Sequence, residues 1–117
     1  MAAYFLESSA LVKKYVRERG TDFVAGLMAI ESGVELYVSR LASVEVTSAL
    51  ARLARGNVLS RPELAAALHA FRHDMKSACW AVPITSALVD RAVALAEFHA
   101  LRGYDAVQLA AALRVNE

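Results

Sequence analysis

The sequence predicts an α/β fold in which short parallel strands alternate with helices. Two short segments are apolar and rich in aromatic or β-branched residues, as buried strands are: YFL near the start and VELYVS further along the chain. Helix-prone sequence separates them, so the two strands are expected to lie parallel and to be joined by a right-handed crossover. The segment CWAVPIT is expected to hold a short third strand.

The first strand leads into a helix. Ser8 and Ser9 are candidate caps, ALVKKYVRER supplies the body of the helix, and Gly20 is placed to stop it. The next segment, TDFVAGLMAIESG, predicts a second short helix that closes at Ser32 and Gly33.

Four further helices are predicted. LASVEVTSALARLARGN carries apolar residues at helical spacing and stops at Gly56. Ser60 and Glu63 have the spacing of a capping box, which opens a long helix through Lys76. SALVDRAVALAEFHAL and GYDAVQLAAALRV are predicted to form the last two helices.

Composition narrows the class of protein. The 117 residues suffice for one core, so residues 1–117 are expected to form a single domain, and 57% hydrophobic with 21% charged residues favours a folded one. The net charge of +1 gives no general attraction to a polyanion, although a local basic patch remains possible.

Cys79 is the only cysteine, which excludes an intrachain disulfide and makes the cytoplasm the expected location. Charges interrupt every apolar stretch before it reaches membrane-spanning length, so a soluble protein is expected.

Three acidic residues stand at places where a site can form. Glu7 follows the first strand, and the carboxyl ends of strands are where α/β proteins place their sites. Glu45 lies at the edge of the apolar stripe of its helix, and Asp105 opens an apolar helix. Each has a simpler interpretation: Glu7 ends a strand, Glu45 points outward or pairs with Arg52, and Asp105 favours a helix N-terminus. Together they would repel one another unless a cation lay between them, and oxygen ligands suit Mg²⁺ or Mn²⁺.

Three segments, in this order, resemble the signature segments of PIN-domain ribonucleases, particularly the VapC-like toxins: YFLESSALVKKYV, LASVEVTSALARL and ALRGYDAVQLAAAL. The resemblance implies that Glu7, Glu45 and Asp105 are metal-binding, catalytic acids and that Ser9 is the supporting hydroxyl residue. It also implies a three-layer α/β/α sandwich with a short parallel sheet, metal-dependent cleavage of RNA, and inhibition by a small cognate antitoxin.

The sequence departs from the family pattern in two ways. The first acid of the family is normally Asp, and Glu7 moves the carboxylate outward by about 1.5 Å, one carbon–carbon bond. The family usually has a further strand after the helix of Asp105, which carries a fourth acid and lies beside the first strand. This sequence stops before such a strand, and Glu117 would lie about 18 Å beyond Asp105 along a continuous helix.

Both departures leave an alternative open, namely a catalytically degenerate PIN-like module that binds an antitoxin or partner chain without cleaving RNA. Without the further strand, the exposed edge of the first strand is expected to be covered by a homodimer partner or a neighbouring segment, or the 117 residues are a piece of a longer protein. Lys13, Lys14 and Arg17 are candidate contacts to RNA phosphates, with a solvated basic face as the alternative.

Overall fold

The predicted α/β architecture is confirmed by a computed structural model, which describes residues 3–29 and 33–116. Three parallel strands form one sheet in the order β1-β2-β3, and helices flank it. The elements of the described residues are β1 (Ala3–Leu6), α1 (Ser8–Val12), α2 (Thr21–Met28), β2 (Glu35–Ser39), α3 (Ala42–Arg55), α4 (Arg61–Ser77), β3 (Trp80–Val82), α5 (Ser86–His99) and α6 (Gly103–Val115).

The register of the sheet brings the carboxyl ends of the strands to one edge. Leu6 of β1 lies opposite Val38 of β2, and Ser39 lies opposite Val82 of β3. The backbone of Arg40 extends this pairing by donating to the carbonyl of Val82 at 2.9 Å. The segments that follow the three strands, including Glu7, therefore begin at the same edge of the sheet.

Helices cover both faces of the sheet, so the three-layer arrangement that the family resemblance implied is present. Alternate side chains of a strand point to opposite faces, and each face has its own core. On one face, Leu6, Leu36 and Val38 pack with apolar residues of α1 to α4. On the other, Phe5 and Tyr37 contact a core built from Val82 and the buried residues of α5 and α6, which are Leu88, Ala92, Ala106, Ala110 and Ala111.

The strongest local signals of the sequence are confirmed. α3 ends at Arg55 with Gly56 as its C-terminal cap, as predicted. Ser60 and Glu63 form the predicted capping box of α4: the Glu63 N–H donates to Ser60 Oγ at 3.2 Å, and the Ser60 N–H donates to Glu63 Oε1 at 2.8 Å. These hydrogen bonds hold the pKa of the Glu63 carboxyl below its ordinary value.

The first helix differs from the prediction at both ends. Its cap is Glu7 rather than Ser8 or Ser9, because the Glu7 carboxylate accepts a hydrogen bond from the N–H of Ala10. The regular helix ends at Val12, not at Gly20, and the chain continues in tighter turns whose N–H groups donate three residues back.

The second helix begins after Gly20 and ends earlier than predicted. Gly20 precedes α2 with a left-handed φ of 94°, a conformation that glycine adopts without steric cost. The helix ends at Met28, and the predicted closure at Ser32 lies outside the described residues.

Strand β1 lies at an edge of the sheet, because β2 is its only strand partner within residues 3–29 and 33–116. Its first residues, Ala3 and Tyr4, are exposed. None of the described helices combines the length and the apolar character needed to cross a bilayer.

A buried acid binds the segment that follows α1. Asp74 of α4 is only 8% exposed, and its Oδ2 accepts hydrogen bonds from Lys14 Nζ at 2.5 Å and from the Tyr15 hydroxyl at 2.7 Å. The Tyr15 ring also packs edge-on against Phe71 of α4 with the ring centres 5.6 Å apart. Burial, followed by the bond to Asp74, raises the pKa of the Tyr15 hydroxyl. This contact holds the segment after α1 against α4.

Replacing this acid should destabilise the fold. In Asp74→Ala the Lys14 ammonium and the Tyr15 hydroxyl lose their shared acceptor while still half-buried, so the free energy of unfolding should fall by about 2–4 kcal/mol. Urea unfolding followed by circular dichroism at 222 nm measures the change. The control is Asp22→Ala, which removes a fully exposed ion pair with Arg17 and should have little effect. Equal unfolding curves for the two variants would contradict the role of Asp74.

Candidate active site

Glu7 lies at the carboxyl end of β1 and caps α1. Its Oε1 accepts the N–H of Ala10 at 3.2 Å, and no hydrogen bond to its Oε2 is found among the described residues. The side chain is exposed. One carboxylate oxygen is thus fixed by the helix, and the other is available to a ligand at the edge of the sheet.

Glu45 lies in the first turn of α3, and the end of β2 sets its position. Ser39, the last residue of β2, is fully buried, and its hydroxyl accepts the N–H of Leu41 at 3.1 Å, which turns the chain into α3. The alternative pairing of Glu45 with Arg52 is not formed, because Arg52 donates instead to Ser48 Oγ at 2.9 Å. The half-buried Glu45 side chain has no hydrogen bond or ion pair within the described part of the chain.

Asp105 lies in the first turn of α6, two residues after Gly103 begins the helix. The cap position is Arg102, and it makes no side-chain capping bond. Asp105 is exposed and forms neither a hydrogen bond nor an ion pair with the residues that the structure describes. The positive N-terminal end of α6 stabilises its negative charge, and its carboxylate oxygens remain available to a ligand.

A hydrogen-bonded cluster joins the start of α6 to the start of α1. The Ser8 hydroxyl bonds to the Tyr104 hydroxyl, 96 residues away in sequence. The Gln108 side-chain amide donates to Ser8 Oγ at 3.3 Å and also to the Tyr104 hydroxyl. Gln108 is 7% exposed, and its carbonyl oxygen Oε1 is buried without a hydrogen-bond partner. These three residues form the Ser8–Tyr104–Gln108 cluster.

The electrostatic surroundings of Tyr104 show that acids lie close to it. Burial raises the pKa of the Tyr104 hydroxyl, its bonds to Ser8 and Gln108 lower it, and the charges of Glu45 and Glu7 raise it again. Two of the three candidate acids therefore lie near this hydroxyl, although they are 38 residues apart in the sequence. The third, Asp105, follows Tyr104 directly in the same helical turn.

The donor chemistry of these acids fits a hard divalent cation. As their side chains are placed, no group of three or more His, Cys, Asp or Glu residues in the described ranges has the geometry to hold a metal ion. All three nevertheless offer carboxylate oxygens, and none is paired with a described Lys, Arg or His. Unpaired carboxylates near one another are stabilised by a cation that accepts oxygen ligands, such as Mg²⁺ or Mn²⁺.

Comparison with known proteins gives the family. The sequence matches the PIN domain over residues 4–117. The chain belongs to the PIN-domain family. It is 38% identical over 118 aligned positions to ribonuclease VapC45 of Mycobacterium tuberculosis strain CDC 1551 / Oshkosh and to ribonuclease VapC49 of strain ATCC 25618 / H37Rv. Both alignments cover 100% of this chain and 79% of the relative. This PIN domain is therefore homologous to VapC ribonucleases.

Of the two serines that follow Glu7 in this PIN domain, Ser8 is the buried one, and it stands one residue before the predicted supporting residue Ser9. Ser9 is exposed and makes no side-chain hydrogen bond to the described residues, so its supporting role stays a prediction. The sequence predicts Ser8 only as a helix cap and indicates no role for Tyr104 or Gln108. The one local signal was the spacing of Tyr104 and Gln108, four residues apart on one helix face, but nothing local connects them to Ser8.

The three basic residues proposed for RNA contact each have an acidic partner. Lys14 is held in the buried contact with α4, whereas the other two pairs are exposed. Binding RNA through these residues requires an exchange of partners, and it stays a prediction. The partners are Glu18 for Lys13 at 3.0 Å, Asp74 for Lys14 at 2.5 Å and Asp22 for Arg17 at 2.6 Å.

Adjacent serines allow a matched test of the cluster. Ser8→Ala removes the hydroxyl that joins α1 to α6, so the free energy of unfolding should fall by about 1–2 kcal/mol. Ser9→Ala is the control, because its side chain is exposed and unbonded, and it should leave stability unchanged within experimental error. Chemical unfolding of both variants measures the difference, and a larger loss in Ser9→Ala would show that the wrong serine has been assigned.

Proposed function

We propose that this PIN domain is a divalent-metal-dependent endoribonuclease that hydrolyses RNA phosphodiester bonds, with Glu7, Glu45 and Asp105 as its metal ligands. The observation that carries the proposal is the placement of acids near Tyr104 at the carboxyl end of the sheet without basic partners in the described chain. Such an arrangement favours a cation over an internal ion pair. The homology to two proteins named as ribonucleases supports RNA as the substrate.

The acids have distinct tasks in this proposal. A bound Mg²⁺ or Mn²⁺ supplies an acidified water and charge neutralisation for phosphodiester hydrolysis. Glu45 and Asp105 provide carboxylates that are held by helices but not by other side chains. Glu7 provides its free oxygen while its Oε1 remains on the Ala10 N–H, which limits how far the longer side chain can swing. The exposed Ser9 supports the ligands from the next turn of the chain.

We further propose that the protein acts in the cytoplasm as the toxin of a toxin–antitoxin pair and forms a homodimer. The VapC homology supports the toxin assignment and a small antitoxin as partner. The edge position of β1 supports a partner chain, because an unpaired strand edge offers free N–H and C=O groups. In this proposal residues 1–117 act as a single domain, and Lys13, Lys14 and Arg17 exchange their acidic partners for RNA phosphates.

One observation favours a second function. Glu7 is already occupied as a helix cap, and the described acids do not form a three-ligand cluster as they stand. A catalytically degenerate PIN module that binds an antitoxin or partner chain would have these properties. The two functions differ in metal binding, because only the nuclease requires a saturable cation site.

Removing one metal ligand should separate the two functions. In Asp105→Asn the site loses a negative charge and a strong oxygen ligand, so Mn²⁺ affinity should fall by at least about tenfold and RNA cleavage should be abolished. Isothermal titration calorimetry measures the affinity, and a fluorescently labelled single-stranded RNA measures the cleavage.

The control for this experiment is Asp90→Asn, which makes the same change at an exposed position on α5. It should bind Mn²⁺ and cleave RNA like the unaltered protein. Absence of saturable Mn²⁺ binding in the unaltered protein would contradict the nuclease proposal and favour the degenerate module.

Shortening the first acid gives a second test. Glu7→Asp keeps a residue that caps helices well and draws the carboxylate back by about 1.5 Å, toward the position that the family normally uses. The cleavage rate should rise, with unchanged stability in urea as the control for folding. An unchanged or lower rate would show that the longer side chain does not misplace the cation.

A further inference from the structure

The hydrogen atoms of the Ser8–Tyr104–Gln108 cluster can be counted. The Ser8 and Tyr104 oxygens lie on the same side of the Gln108 side-chain nitrogen, so one amide hydrogen serves both. The two hydroxyl groups share one further hydrogen bond, which uses the hydrogen of only one of them. The hydrogen of the other hydroxyl has no acceptor among these bonds, since Gln108 Oε1 accepts no hydrogen bond from the described residues.

Burial decides which residue carries the spare hydrogen. Ser8 is 7% exposed, and a buried donor without an acceptor is costly, so Ser8 donates to Tyr104. Tyr104 is less deeply buried, and its oxygen then accepts from Ser8 and Gln108 while its own hydrogen points away from both. The cluster thus fixes the oxygen of the Tyr104 hydroxyl and leaves its hydrogen free to be donated to a ligand.

The surroundings of this donor define what it can bind. The structure gives no hydrogen bond from Tyr104 to Glu7 or Glu45 among the described residues, although both charges act on it. The three acids supply acceptors, and no ion pair joins any of them to a Lys, Arg or His of the described residues. An anionic oxygen that enters such a site needs a hydrogen-bond donor in addition to a cation. A hydrogen bond from a hydroxyl to a charged oxygen is stronger than one between two neutral groups.

We propose that the Tyr104 hydroxyl donates a hydrogen bond to a non-bridging oxygen of the RNA phosphate that is cleaved. This inference rests on the proposed nuclease function and adds a phosphate-binding residue to it. Ser8 and Gln108 are then positioning residues, which fix the direction of the Tyr104 O–H bond without contacting RNA.

The experiment compares Tyr104→Phe with Tyr37→Phe. The second variant removes a phenol hydroxyl that is bonded to the exposed Glu35 at 2.9 Å, outside the proposed site. With a single-stranded RNA and saturating Mn²⁺, kcat/KM of Tyr104→Phe should fall by about tenfold to a hundredfold, while that of Tyr37→Phe stays unchanged. Mn²⁺ affinity should stay within about twofold in both variants, because all three acids are intact.

Two further measurements separate a phosphate contact from a structural role. Ser8→Ala keeps the Tyr104 hydroxyl, so the factor by which it lowers kcat/KM should be less than about a third of the factor for Tyr104→Phe. Sulfur is a poor hydrogen-bond acceptor, so replacing the contacted oxygen by sulfur should remove the contribution of Tyr104. For one of the two phosphorothioate diastereomers at the cleaved position, the ratio of kcat/KM of the unaltered protein to kcat/KM of Tyr104→Phe should therefore shrink to below about threefold.

The outcomes are distinct. Equal losses in Ser8→Ala and Tyr104→Phe, or a ratio that sulfur does not change in either diastereomer, would overturn the phosphate contact. If the unaltered protein binds the RNA in Mn²⁺ without cleaving it, the proposed activity fails, and the contact is judged by fluorescence anisotropy. Weaker RNA binding by Tyr104→Phe then supports the contact, and equal binding overturns it. If the unaltered protein neither cleaves nor binds RNA, both proposals fail.

Discussion

The candidate site depends on the hydrogen-bonded contact between the first turn of α1 and the first turn of α6. Ser8 and Tyr104 are 96 residues apart, yet their hydroxyls bond directly and Gln108 donates to both. Glu7 precedes Ser8 and Asp105 follows Tyr104, so the same contact sets the relative positions of these two acids. Buried hydrogen bonds require defined geometry, and the cluster therefore fixes the first turns of α1 and α6 against each other.

The sheet and the Asp74 contact support this base from different sides. The parallel register delivers Glu7 and the start of α3 to one edge, while Asp74 fixes the segment that follows α1 through Lys14 and Tyr15. The charges of Glu45 and Glu7 raise the pKa of the Tyr104 hydroxyl, because they disfavour its anionic form. A group of carboxylates without basic partners lowers the stability of the fold, and a bound cation would raise it again. Such a loss of stability is common at functional sites.

Local sequence signals predicted most of the fold. The strands, the Gly56 stop of α3 and the Ser60–Glu63 capping box were predicted correctly because each depends on residues close together in the chain. The segment after α1 could not be predicted, since its Lys14 and Tyr15 bond to Asp74 in another helix, 60 and 59 residues away in the sequence. The three acids were selected from the sequence, but the cluster beneath them was not, because no local pattern links Ser8 to Tyr104.

Paramagnetic broadening by Mn²⁺ shows whether Glu7, Glu45 and Asp105 share one cation, as proposed above. In a ¹⁵N-labelled sample titrated with substoichiometric Mn²⁺, the backbone amide signals of Glu7, Glu45 and Asp105 should broaden first and together, because the effect falls steeply with distance from the ion. Signals from the distant end of α4, such as Lys76, should broaden last. Broadening that spares any of the three acids, or that spreads evenly over exposed carboxylates, would contradict the account.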